Sequence, residues 1–353
     1  MAGSGSIALV IFVGLVPLIA ILALWVGSLY DKRLANVLYK LHLLREGGGH
    51  MLFSTDKKFP KKTPDAADVQ EEASKQIIFV RHAESAWNLV FNKGFGKDFP
   101  GRLGDALKKE GKLFSTLDSV FVDSPLSKLG TDQADGLQRF IETGDTEFNE
   151  LLFGQPDAGK SIIVSSNLRR ALSTCTIGFW NRLRRTQEKI HVLSSLQEVT
   201  FNVDGMSLAK PYHSPQLADD ELAALDYHSP EDFDADRYYN CSENHGNKEI
   251  KSSGYKRLVE FCDWCFDEKQ DEYDNIIAAG HSLYFRFFFQ YFLPKASTHV
   301  SKKLKMENCS VVAFKLVKGT HKNGSTFYRV EEDTVKNLYL GFEEKKKKKK
   351  KTA

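Results

Sequence analysis

Arginine and histidine stand side by side at Arg81 and His82, immediately after the apolar, β-branched run QIIFV at 76–80. A buried strand that ends in basic residues and opens into a helical pattern suits a phosphate, because free N–H groups and the helix dipole both favour an anion there. Two later runs end in the same way. SIIVS at 161–165 leads through Ser166 and Asn167 to Arg169 and Arg170, with Ser166 placed to cap a helix whose core positions are Leu168, Ala171, Leu172, Cys175 and Phe179. NIIAAG at 275–280 leads to His281, Ser282 and a strongly aromatic helix, and after the strand at 189–193 comes an isolated carboxylate, Glu198. Any one of these residues alone is more often structural. Strand carboxyl ends in a parallel α/β sheet converge on one crevice, however, so His82, Arg170, Glu198 and His281 are expected to meet.

The rest of the composition fits a single sizeable enzyme domain. The chain has 353 residues, 42% hydrophobic and 12% aromatic, and a formal charge of +3 from nearly balanced acids and bases, which argues against a general nucleic-acid binder. Five cysteines (Cys175, Cys241, Cys262, Cys265, Cys309) are too few and too scattered for a disulfide framework and favour a reducing compartment. Cys262 and Cys265 form a CxxC, yet they share one apolar helix face with Leu258, Phe261 and Phe266, so core packing is expected rather than a metal site.

VRHAESAWN, DSPLSKLGTDQA, SSNLRRALST, LQE and AAGHS, in that order, resemble the successive motifs of the histidine phosphatase superfamily, in its phosphoglycerate-mutase-like branch. NCSVVAF at 308–314 is similar to that family's late strand, and the resemblance covers roughly residues 76–316. It implies an α/β three-layer sandwich with a mostly parallel central sheet and helices on both faces. It also implies a phosphomonoester hydrolase in which His82, facing the surface, is the nucleophile and forms a phosphohistidine. Arg81, Arg170 and His281 would bind the equatorial oxygens, Asn88 would contact the transferring group and Ser85 would assist through its hydroxyl. Glu198 would protonate the leaving oxygen and then activate water. No metal or other cofactor is implied. Of the two adjacent arginines, the pattern selects Arg170 for phosphate and leaves Arg169 to solvent or a neighbouring acid. Ala83 replaces the family's usual glycine, and VTFNVDG after Glu198 matches the mutase pattern poorly.

Two insertions interrupt the pattern, at about 89–122 and 201–252. The first is basic and would favour an anionic substrate if it folds over the pocket; the second is acidic, and its scattered histidines lack ligand spacing. Mutase-type phosphotransfer and a non-catalytic, membrane-anchored binder of a phosphorylated partner remain alternatives to hydrolysis. The substrate could be a small metabolite, a phosphoprotein or a lipid head group.

Outside 76–330 the sequence points to a membrane. Ile7 to Tyr30 contains no charged residue and is long enough to cross a bilayer as a helix, with Pro17 tolerable inside such a span. Lys32, Arg33, Lys40 and Arg45 follow it while nothing positive precedes it, which predicts a single-pass protein with its catalytic domain in the cytosol. The sequons at Asn240, Asn308 and Asn323 are then incidental. Leu34, Val37, Leu38 and Leu41 form a stripe expected to lie along the interface and to end at Gly47–Gly49, followed by a solvated linker to residue 75. Residues 331–353 read as a polybasic tail attracted to anionic lipid. Lys350 and Lys351 resemble the dilysine retrieval signal of endoplasmic-reticulum membrane proteins; the mitochondrial outer membrane is the rival address.

Overall fold

The fold is that of a computed structural model, which describes residues 16–62 and 69–343. The apolar runs become strands in which alternate side chains pass to opposite faces. They are β1 (Val69–Arg81), β2 (Ser161–Ser166), β3 (Ile190–Leu193), β4 (Tyr239–Asn240) and β5 (Asn275–Gly280), joined by β6 (Val311–His321), β7 (Thr326–Val330) and β8 (Lys336–Tyr339). The spatial order is β4-β3-β2-β5-β1-β6-β7, with β8 also paired to β6. All pairs from β4 to β1 are parallel, whereas β6 runs antiparallel to β1, β7 and β8. The sheet is therefore mixed rather than mostly parallel. The change of direction falls at the β1–β6 pair, and β7 continues it because β6 and β7 are joined by a tight turn at Asn323–Gly324, where Gly324 takes φ 82°, a hairpin that needs no crossover helix.

The pleat divides the core between two helical layers. Ile78, Val80, Ile163 and Ile277 pack with Leu137, Ile141, Leu172 and Cys175 from the helices Lys128–Thr143 and Arg169–Gly178. Ile77, Phe79, Val164 and Ile276 pack with Leu258, Phe261, Phe285 and Phe288 from Gly254–Cys265 and Ser282–Phe292. Phe79 stacks on Phe285 with ring centroids 4.0 Å apart. Cys262 and Cys265 are fully buried free thiols in this second layer.

Both ends of the domain extend beyond the boundaries read from the sequence. The stripe expected to stop at the glycines continues as one helix, Lys32–Phe53, capped by the Asp31 carboxylate accepting the Arg33 N–H at 2.8 Å. It crosses Gly47 and Gly49 because the domain packs against them: a Cβ on Gly47 would meet Val203 at 3.1 Å and one on Gly49 would meet Ile250 at 2.6 Å. Leu43 joins Val122, Met206 and Leu208 in a small core. Lys40, counted among the charges flanking the membrane, is buried and donates to the carbonyls of Leu113 and Asp118 at 2.6 and 3.0 Å. The helix thus docks on the protein. β1 begins at Val69, inside the expected linker, by pairing with β6. β8 and an isolated bridge between Met306 and Phe342 hold the segment after residue 330 against the sheet, where a tail was expected.

Of the apolar stretch Ile7–Tyr30, residues 7–15 lie outside the described residues, and Val16–Ser28 is a helix. Among the described residues no helix is long and apolar enough to cross a membrane. Lys350 and Lys351 also lie outside them.

Candidate active site

The carboxyl ends of β1, β5, β2 and β3 lie at one edge, with Arg81 opposite Gly280, Ser165 opposite Ala279 and Ser166 opposite Leu193. His82 follows β1 and is pinned by its neighbours. Its N–H donates to the Gly280 carbonyl at 3.0 Å, its carbonyl accepts from the Asn308 side chain at 2.8 Å, and the next N–H, of Ala83, donates to the Thr174 hydroxyl at 2.9 Å. Thr174 in turn donates to the Arg170 carbonyl at 2.7 Å, which ties the arginine helix to the histidine turn.

The imidazole of His82 is buried, 3% exposed, instead of facing the surface. Its Nδ1 lies 2.6 Å from the Ala83 carbonyl. A carbonyl only accepts, so a neutral ring carries its proton on Nδ1 and leaves the lone pair on Nε2. Burial, then the charges of Arg170 and Arg81, holds the His82 pKa well below its usual value. His281 lies beside it, with ring centroids 5.2 Å apart, and its Nε2 is 2.8 Å from the Ser166 hydroxyl. Burial and then Arg170 depress the His281 pKa as well, while its Nδ1 is buried without a partner among the described residues.

The two arginines of the second motif part company. Arg170 is buried beside Asp204, with Nη1 2.8 Å from that residue's carbonyl and 3.5 Å from its Oδ2. Arg169, also buried, turns the other way and bonds the Asp118 carboxylate, the Asp123 carbonyl at 3.1 Å and the Ser119 carbonyl at 2.8 Å. Arg81 donates to the Met306 carbonyl and, at 3.1 Å, to the carboxylate of Glu343.

Other sequence candidates are spread over distinct tasks. Asn88, Asn92, Lys93, Lys305, Asn308 and Arg81 line a polar cavity of about 440 Å³ together with Glu84 and Glu343. The first insertion reaches this cavity only through Asn92 and Lys93; its helix Phe99–Leu113 packs instead on Val90 and Val120. Ser85 is fully buried, and its hydroxyl accepts the Asn88 N–H at 3.2 Å, so it caps the turn instead of opening onto the cavity. Glu198 is buried with Oε1 accepting from the N–H groups of Val199 and Tyr284, both at 2.9 Å, at the start of the Ser282–Phe292 helix.

Sequence reasoning missed the group that holds Glu198 from behind. Asp56 takes Lys248 at 2.6 Å and Arg257 at 2.8 Å, and Lys248 also donates to the Glu198 carbonyl at 2.6 Å. Burial opposes ionisation of Asp56, but the two cations outweigh it and its pKa is lowered. Asp204 was missed too; its only signal was its place in NVDG, the stretch that fits the family pattern poorly. Among the described residues no cluster of His, Cys, Asp or Glu is arranged to hold a metal ion.

No family model matches the chain, and no curated protein matches it. Solved structures overlap it weakly. A putative alpha-ribazole-5'-P phosphatase from Escherichia coli is 13% identical over 76% of this chain and 97% of its own, with a TM-score of 0.37. A mycobacterial glucosyl-3-phosphoglycerate phosphatase gives 14%, 73%, 97% and 0.34, and an ecdysone phosphate phosphatase from Bombix mori gives 15%, 72%, 92% and 0.35. At these values the similarity assigns this chain no activity.

Proposed function

We propose that the chain is a phosphomonoester hydrolase that works through a phosphohistidine on His82. The observation that carries this reading is the placement of the His82 ring, with Nδ1 on the Ala83 carbonyl, its pKa held down by burial, Arg170 and Arg81, and His281 beside it, which favours a neutral ring whose lone pair is on Nε2. A neutral imidazole among cations is a nucleophile waiting for an anion. The Nε2 lone pair forms the bond to phosphorus as the bond to the ester oxygen breaks, and the cations stabilise charge on the equatorial oxygens. A carboxyl group protonates the departing oxygen. The same group then takes a proton from water as water attacks phosphorus and the N–P bond breaks, restoring the ring. Mutase-type transfer and non-catalytic phosphate binding would use the same cradle, and no observation favours either. His82→Ala should abolish hydrolysis of p-nitrophenyl phosphate by the full chain while its circular dichroism spectrum is unchanged; substantial remaining activity would overturn the proposal.

The membrane reading rests on a different observation. Ile19, Leu22 and Trp25 of the Val16–Ser28 helix, and Leu29 just after it, are 61%, 58%, 56% and 63% exposed, and the sequence continues the apolar character back to Ile7. We infer a single anchor over 7–30 with the enzyme on the cytosolic side, in the endoplasmic-reticulum membrane. Protease added to sealed microsomes should digest the domain, whereas glycosylation at Asn240 would show the opposite topology.

A further inference from the structure

Two buried carboxyls, Glu198 and Asp204, compete for the role of proton donor, and their surroundings differ. Glu198 is engaged as an acceptor: Oε1 takes two main-chain N–H groups, and Oε2 faces the Leu283 N–H at 3.5 Å. Its backbone is held by Lys248 at 2.6 Å and by Arg257 at 3.5 Å. A carboxyl group held in this way at a helix start is well suited to fixing the helix that follows His281. It is poorly suited to swinging a proton toward substrate.

Asp204 sits in the short turn Val203–Gly205, supplied by the second insertion. One carboxyl oxygen, Oδ2, lies 3.5 Å from Arg170 Nη1, while the other, Oδ1, is buried without a hydrogen-bond partner among the described residues. An unpartnered buried carboxyl oxygen is costly unless a ligand group or a proton completes it. Burial raises the Asp204 pKa, Arg170 opposes this, and Glu198 adds to it. The turn is fixed in place: Val203 rests on Gly47 of the Lys32–Phe53 helix, and a Cβ on Gly205 would meet Thr200 at 2.4 Å.

We propose that Asp204, rather than Glu198, is the catalytic acid and base, and that Glu198 is a positioning residue. Oδ2 beside Arg170 puts the Asp204 carboxyl at the phosphate cradle with Oδ1 idle, whereas both Glu198 oxygens face main-chain donors. Resting on the phosphohistidine reading, the step is the transfer of the Asp204 proton to the ester oxygen as its bond to phosphorus breaks. The resulting carboxylate then accepts a proton from the water that attacks the phosphohistidine.

The test compares Asp204→Asn and Glu198→Gln in the full chain on p-nitrophenyl phosphate, whose leaving group needs little protonation, and on an alkyl phosphate, which needs it. Asp204→Asn should lower kcat/KM for the alkyl ester about a hundredfold or more and for the nitrophenyl ester less than about tenfold. Glu198→Gln should lower both by similar factors. Equal losses on the two esters in Asp204→Asn would reduce Asp204 to a partner of Arg170 and sink the assignment. Glu198→Gln provides the check if Asp204→Asn fails to fold, because selective loss of the alkyl ester in that variant would return the acid role to Glu198. Failure of the underlying reading looks different: wild-type chain treated with labelled substrate would carry no phosphate on His82, whatever the carboxyl variants do.

Discussion

Arg169 and Arg170 show how one step along a helix sends two buried cations to different partners. The divergence of the pair was legible, because neighbouring helix residues point about 100° apart. The burial of Arg169 was not legible, since its partners Asp118, Ser119 and Asp123 come from roughly fifty residues earlier in the chain. Arg170→Lys should cut kcat/KM roughly a hundredfold at unchanged melting temperature, because lysine cannot restore the fork that meets phosphate oxygens. Arg169→Lys should instead lower stability by about 2 kcal/mol or more, leaving activity per folded molecule within about threefold. Parallel kinetics and thermal melts on both variants check the division. The histidines predict a pH effect of definite sign. His281 titrates well below 6.5 in the folded chain and at about 6.5 when unfolded, so below that pH the unfolded chain binds more protons. Its contribution to stability is full above about pH 6.5 and declines as the pH falls further. His281→Gln should therefore gain melting temperature relative to wild type between about pH 6.5 and 5, measured by calorimetry; a relative loss over that range would reverse the sign.

Among the elements, the parallel strands at 76–81, 161–166, 190–193 and 275–280 were nearly readable from their apolar runs, because burial on both faces leaves an uninterrupted signal. β7 and β8 were not, since every residue of KNLY and all but the last of TFYRV are exposed or half-buried and resemble surface chain. The Lys32–Phe53 helix was half readable: its stripe showed, but three glycines looked like a stop. Their meaning depends on Val203 and Ile250, which no local pattern can announce. Gly130, in DSPLSKLGTDQA, is a sharper case of the same kind. A Cβ there would lie 2.0 Å from the Glu84 carbonyl oxygen, at the point where Ser127 N–H bonds that oxygen at 2.9 Å. The helix therefore presses its first turn against the loop that carries His82. Gly130→Ala should destabilise the chain by about 2–3 kcal/mol and reduce turnover by displacing that loop. A melting temperature within a degree of wild type would show that the contact yields freely.

At the scale of the whole molecule, described segments on both sides of residues 76–330 fold back toward the site. The Lys32–Phe53 helix braces the turn that carries Asp204, Asp56 clamps the backbone of Glu198 through Lys248 and Arg257, and the segment beyond β8 brings the Glu343 carboxylate to Arg81. None of this was foreseeable from strand-end logic, because these long-range contacts come from segments that read as linker and tail. The meeting of the candidate residues was foreseeable, because four strand ends deliver them to one edge. The central claim is that phosphorus is transferred to a ring nitrogen of His82. Its most direct measurement is rapid quenching of the full chain with ³²P-labelled phosphomonoester, followed by acid and alkali treatment and peptide mapping. The account predicts a label that survives alkali, is lost in acid, maps to the peptide containing His82 and disappears in His82→Ala. Turnover without such a label, or a label on another residue, would contradict it.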